Sequence, residues 1–536
     1  MSTTLYRRGR VRTPADPFAT ALMTDGAVVA WVGQEGAADA LSPDLTVDLE
    51  DAWLAPAFVD AHVHATSTGL ALTGLDLTGT TSLAQALQLL ADHCRKARGG
   101  VVLGTGWDET LWPERRPPTA AELDRASFGG VVYLSRTDVH SAVASSALLA
   151  ACPEARGLPG WSGDGLVRQQ AHHRVRRTAQ EAITPAQRRA AQLTTLDRAA
   201  QLGIACVHEC GGPDINGEQD FVALLALDHA VARIGYWGEL GAVEKAVDLG
   251  ARGAAGDLFV DGALGSRTAC LRQDYADGPG RGHGYLAAEQ VRDHVLACTR
   301  AGVQAGFHAI GDEAVDRVVT GFAAAAAVLG QAAVRAARHR VEHVEMVGPE
   351  QLAVLADLGV VASVQPVFDA RWGGSAGMYA ERLGTERARG MNPFAALAAA
   401  GVALALGSDS PVTALDPWGT VRAAVKHRSP GSGLSARAAF SAHTRGGWRA
   451  ARQDGEGVLV PGAPATFAVW DVPGELVVQA PSAAVSGWST DARAGVSGLP
   501  DLEGPDPVCL LTVVAGRTAW QIGRQGPNGA IRDHRA

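Results

Sequence analysis

Four separate segments of this chain end in side chains able to hold a divalent cation: Asp60-Ala61-His62-Val63-His64, Gly306-Phe307-His308, Val341-Glu342-His343 and Gly407-Ser408-Asp409-Ser410-Pro411. The apolar residues before each read as a short β-strand. His62 and His64, two positions apart, therefore share one strand face and can point together. Imidazole nitrogens and a carboxylate at four strand ends make a donor set suited to zinc, manganese or iron. Any one of these residues has an ordinary reading as a satisfied core polar group; their coincidence at the same ends of successive strands is what points to a metal.

The elements that must position them alternate short apolar runs with Ala-rich helical stretches, the pattern of parallel strands joined by helices. Strands are expected at 55–64, 204–209, 233–240, 257–264, 304–310, 340–345, 360–365 and 402–406. Eight in this order predict an α/β fold, a (β/α)8 TIM-type barrel over residues 56–454 with its active site at the C-terminal strand ends. Residues 66–200 are too long for a plain loop and read as a lobe inserted over the barrel mouth. Residues 1–55 and 455–536 share a texture of short β-segments and turns, so the two ends are expected to pair as one small discontinuous β-sandwich.

Bulk properties narrow the function. With 536 residues, 47% hydrophobic and 19% charged, the chain can bury a large core. The 47 basic and 56 acidic residues are scattered, with no basic run to track phosphates, so nucleic acid is not an expected partner. The N-terminus lacks a signal-peptide apolar stretch and no window approaches a membrane span, which predicts a cytoplasmic protein without a membrane role. Seven irregularly spaced cysteines fit neither a disulfide framework nor a zinc knuckle; Cys206 and Cys210 read as buried thiols.

These residues and their surroundings resemble the amidohydrolase superfamily, within it the amidohydrolase family 3 branch that includes N-substituted formamide deformylases. The segments carrying the resemblance are Pro56 to His64, Gly106-Trp107-Asp108, Asp261 to Ala269, His308 to Asp312, Arg340 to His343, Gly407 to Pro411 and Pro461 to Ala465. It implies that His62 and His64 bind a buried metal with Asp409, while His308 and His343 bind a second metal or hold substrate. One position departs from the family: where a carboxylated lysine commonly bridges two metals, this chain has Asp257. Lys96, Lys245 and Lys426 sit in helical or loop contexts, so a carbamate bridge is not expected. Asp257 is either a shorter carboxylate ligand or a structural residue at a strand start, and one ion, most simply Zn2+, is favoured over a bridged pair.

The resemblance further implies a hydrolase acting on a carbon–nitrogen bond other than a peptide bond, in an amide, N-substituted formamide or cyclic amide. A divalent cation makes a nucleophile of water near neutral pH; Asp409 is the expected general base, and His308 or His343 the group polarising the substrate oxygen. Trp107, His140, Arg267 and Gln365 are candidate substrate-binding residues. His172, His173, His229, His427 and His534 read as solvated. Deamination, ester or lactone hydrolysis, and a metal-binding protein with decayed activity are the alternatives on the same scaffold. The partner is a small molecule; homo-oligomerisation is in keeping with the family, with no interface legible.

Overall fold

Strands buried on both faces carry no polar alternation, and Phe58–Val63 and Ile204–Gly211 are buried at every position. That is the signature of a parallel sheet enclosed by helices. In the computed structural model, which describes residues 2–96, 101–479, 488–489, 497–523 and 532–535, they belong to an eight-stranded parallel barrel. Its strands are β1 (Phe58–Val63), β2 (Ile204–Gly211), β3 (Ala232–Trp237), β4 (Gly253–Ala254), β5 (Gln304–Ala309), β6 (Arg340–His343), β7 (Val361–Val364) and β8 (Ala403–Leu406). Each pairs with the next in chain order. At the mouth β1 and β8 are joined through Asp409 N–H to His62 O (2.8 Å) and His64 N–H to Ser410 O (2.9 Å).

Strand four lies earlier than its apolar run suggests. The chain leaves the sheet after Ala254, Gly256 takes φ +83°, and residues 257–264 run on over the mouth, touching β5 at the isolated bridge Phe259–His308. Glycine supplies this left-handed conformation without steric cost. Asp257 therefore sits past the end of its strand, not at a strand start. Residues 55 and 56, expected to open β1, belong to another sheet, in which Trp53–Pro56 pairs with Phe467–Asp471.

The inserted stretch has a five-stranded sheet of its own, Leu166–Arg168, Ser141–Ala144, Val132–Arg136, Val102–Trp107 and Leu75–Asp76. Its core gathers Leu90, Trp107, Trp112, Leu123 and Leu134. Helix α1 (Ala65–Thr73) follows His64; α2 (Gln169–Glu181) and α3 (Pro185–Gln201) lead back to the barrel. The approach of α1 to α3 depends on Gly69, where a Cβ would lie 1.9 Å from Ala191 O. The chain ends interleave in two five-stranded sheets, with Arg532–Arg535 beside Leu45–Asp48 in one and Phe467–Asp471 beside Trp53–Pro56 in the other. Tyr6, Leu22, Leu54, Phe467, Leu511 and Val513 pack into a common core. No described helix is long and apolar enough to cross a membrane.

Candidate metal centre and its cavity

The strand ends bring His62, His64, His308, His343, Asp257 and Asp409 to one place, all buried. Asp257 is at the centre: its carboxylate lies 3.4 Å from His62 Nε2, 3.2 Å from His64 Nε2, 3.4 Å from His308 Nδ1 and 3.7 Å from His343 Nε2. Asp409 Oδ1 is 3.4 Å from His62 Nε2 and 3.1 Å from His64 Nε2. His343 and Asp409 hold positive φ, +71° and +54°, a costly conformation for residues with a Cβ that is met mostly at functional sites.

Acceptors outside the cluster fix which nitrogen of three rings faces inward. His62 Nδ1 donates to Glu342 Oε2 (3.0 Å), His308 Nε2 to Gly262 O (3.2 Å) and His343 Nδ1 to Gln365 Oε1 (2.8 Å). A neutral imidazole that donates from one nitrogen presents a lone pair on the other, so His62 Nε2, His308 Nδ1 and His343 Nε2 all aim lone pairs at Asp257. Glu342 is itself locked by Arg340, whose guanidinium also reaches Ala61 O and Ser363 Oγ and covers the Tyr236 ring.

His62 Nε2, His308 Nδ1, Asp257 Oδ1 and Asp409 Oδ1 are buried with no hydrogen-bond partner among the described residues. Lone pairs converging from imidazole and carboxylate, unsatisfied in a dry place, are what a divalent cation requires and what a protein core avoids. The residues therefore fit a metal. Without one, charge is balanced on the rings: burial opposes protonation of His64, but Asp257 and Asp409 outweigh it and raise its pKa to about 9. His62 is likewise raised despite burial, and Asp257 is held well below the usual carboxylate range despite burial, by His62, His308 and His343.

Two cavities open from this centre. The first is lined by His140, His308, His343, Glu345, Phe368 and Tyr379, among others. The second, partly open to solvent, runs from His64 between α1 and the inserted lobe, past Leu70, Leu103, Tyr133, Arg176 and Ile183.

The family model described as the amidohydrolase family (Amidohydro_3) matches residues 45–519. The chain belongs to this family. Among relatives, this amidohydrolase is 28% identical over 510 residues to protein LONG AFTER FAR-RED 3 of Arabidopsis thaliana, covering 85% of each chain. It is 30% identical over 136 residues to the N-substituted formamide deformylase of Arthrobacter pascens, covering 24% of this chain and 25% of that one. Among solved structures, an uncharacterized metal-dependent hydrolase from Pyrococcus horikoshii OT3 superposes with a TM-score of 0.71 at 25% identity, over 88% of this chain and 98% of that one. The protein is thus an enzyme, a metal-dependent hydrolase on a TIM-type barrel.

The other residues singled out in the sequence have varied places in the amidohydrolase. His140 lines the first cavity, its ring 5.1 Å from that of His308. Gln365 bonds His343 as described. Trp107 is in the core of the inserted lobe, its indole N–H donating to Leu134 O (2.8 Å). Arg267 is paired with Asp277 through two bonds of 3.1 and 2.7 Å. Cys206 and Cys210 are buried and free.

His172 is not solvated but 1% exposed, bonded to Tyr133 OH at 2.7 Å. His427 packs its ring beside Asp369 from the loop that follows helix Pro417–Val425, and His173 is half-buried near Phe259 on α2. His229 lies against Asp197, and the His534 side chain falls outside the described residues. Arg176 at the cavity was missed in the sequence. Its signal was the spacing of Ala171, His172, Val175, Arg176 and Ala179, which puts two basic side chains on the apolar stripe of α2.

Proposed function

We propose that this amidohydrolase cleaves a carbon–nitrogen bond outside peptides, in an amide, N-substituted formamide or cyclic amide, using a single zinc ion held by His62, His64, Asp257 and Asp409. The observation that carries this reading is the convergence of His62 Nε2 and His64 Nε2 on the Asp257 and Asp409 carboxylates at 3.1 to 3.4 Å, with His62 Nε2, Asp257 Oδ1 and Asp409 Oδ1 left without a hydrogen-bond partner among the described residues. Of three convergent sets, His62–Cys210–Glu342 has its carboxylate taken up by Arg340, and the other two, His62–His64–Asp409 and His62–Asp257–His343, share His62, where one nitrogen lone pair serves one cation. When bound, the ion supplies Lewis acidity, acidifying a water and polarising the bond under attack.

The protein's own groups do the rest. Asp409, facing both the centre and the first cavity, takes a proton from the attacking water and returns it to the departing nitrogen. His308 and His343, outside the four ligands, stand beside Asp257 on the wall of the first cavity. His140, kept neutral by burial and by neighbouring His308, is placed to donate a hydrogen bond to the substrate oxygen. The enclosing walls exclude bulk water from the reacting atoms.

The test combines elemental analysis of protein purified without chelator with an activity panel of an N-formyl amine, a cyclic amide, a lactone and an aminopyrimidine. About one zinc per chain and turnover of the first two compounds is the expected result. Turnover of the lactone or aminopyrimidine alone would replace the reading with ester hydrolysis or deamination.

A further inference from the structure

Four arginines are buried among the described residues: Arg136, Arg176, Arg340 and Arg382. Three have carboxylates. Arg136 holds Asp108, Glu109 and Asp138 at 2.8 to 2.9 Å, Arg340 grips Glu342, and Arg382 meets Asp277 at 2.5 Å. On α2 itself, Arg174 and Arg177 reach Glu154 and Asp214. Arg176, 9% exposed, has no hydrogen bond or ion pair with any described residue; Tyr133, His172 and His173 lie near it, and Asp257 and Asp409, the carboxylates lining the same small space, are not within ion-pair distance of it. The positive field of Arg176 adds to burial in pushing both imidazoles toward the neutral form.

A guanidinium set on a cavity wall without a paired carboxylate keeps its donors free for an anion from outside the protein. Arg176 lines the second cavity and also the small space around His64, Asp257, His308, His343 and Asp409. His64 and Val139 line both as well, so the two spaces meet at Arg176. Beyond it the walls are mostly apolar, with Leu70, Ala71, Leu103 and Ile183 beside Thr105 and Gln180.

We propose that Arg176 binds a carboxylate of the substrate, and that the adjoining cavity takes an apolar substituent beside it. The substrate class is then an amide or formamide bearing both a carboxylate and an aryl or branched alkyl group next to the scissile bond, an N-acylated apolar amino acid being the simplest form. The planar fork of arginine suits this two-point recognition, and α2 supplies it from a rigid element. This rests on the carbon–nitrogen hydrolase reading for the bond cleaved, but not for the anion site itself.

The experiment uses matched pairs. N-formylphenylalanine and N-formylphenethylamine differ by the carboxylate alone and are compared by kcat/KM; 3-phenylpropionate and 3-phenylpropanamide are compared by calorimetric binding. Wild type, Arg176→Met and Arg176→Lys are each measured, with melting temperature. Wild type should favour the carboxylate member of each pair by about 10- to 100-fold, the range of a charge-assisted hydrogen-bonded pair. Arg176→Met should bring that ratio toward one, and Arg176→Lys should keep part of it. Arg176→Met should melt no lower than wild type, since no bond within the protein is lost. Equal binding of acid and amide by wild type, a preference that survives Arg176→Met, or a marked fall in its melting temperature would each overturn the proposal. If neither formamide is hydrolysed, the carbon–nitrogen reading fails while the binding pair still decides the role of Arg176.

Discussion

Replacing Asp257 by asparagine separates a metal ligand from a structural acid. The change keeps volume and removes charge. Every polar contact described for the Asp257 carboxylate is to an imidazole, at 3.2 to 3.7 Å, and none is to a backbone N–H. The fold therefore loses no hydrogen bond, while the cation loses a charged donor for a neutral one, worth about 1.5–3 kcal/mol, or about 10- to 100-fold in affinity. Competition with a graded series of chelators should show that weakening, with kcat/KM falling at least in parallel; the metal-free variant should melt below metal-free wild type in either case, because Asp257 balances the His62 and His64 rings when no cation does. If Asp257 serves only to balance the buried rings, the metal readout separates the two roles. Metal affinity would hold, and only the metal-free melt would fall, by about 3–5 kcal/mol, the cost of stranding a buried charge. That outcome would refute the assignment.

Glu342→Gln should weaken both metal affinity and activity about 10- to 100-fold by releasing the His62 ring, and should also destabilise by about 3–5 kcal/mol because Arg340 loses its carboxylate; chelator competition and denaturant melts measure the two effects separately. Gln365→Leu removes the acceptor that fixes His343 and should cost about 10-fold in kcat/KM, with circular dichroism and melting temperature near wild type. Trp107→Ala should cost about 3–5 kcal/mol in a denaturant melt, as expected for a large side chain in the core of the inserted lobe; an unchanged melt with a raised KM would instead make Trp107 a cavity wall.

The barrel and its mouth were legible because two simple signals coincided. Apolar runs gave the strands, and the polar residues ending them, His62, His64, His308, His343 and Asp409, could face only the mouth. Asp257 was harder. The apolar alternation through Leu258 and Val260 resembles a strand, yet Gly256 had already turned the chain out of the sheet, which moved Asp257 from a strand start to the middle of the site. Glu342 was close at hand in the sequence, but its bond to His62 depends on β6 lying across the barrel from β1, a distance of 280 positions that no local pattern encodes. Arg267 shows the converse: an arginine in a motif looks available until the fold brings Asp277 to it. Arg176 was hidden because a helix rich in arginine and glutamine reads as solvated, although its alanine and valine spacing already marked the inner stripe.

The pairing of Trp53–Pro56 with Phe467–Asp471 also sets an order of events during synthesis. Trp53–Pro56 ends two residues before β1, the strand that carries His62 and His64, and its partner leaves the ribosome more than 400 residues later. At about 5–20 residues per second that is a wait of tens of seconds, during which the first half of the metal centre is anchored on one side only. The nascent chain must keep that strand from pairing wrongly until its last quarter arrives, so slowed translation or loss of a holding chaperone should lower the yield of assembled metal centre before it lowers the yield of chain.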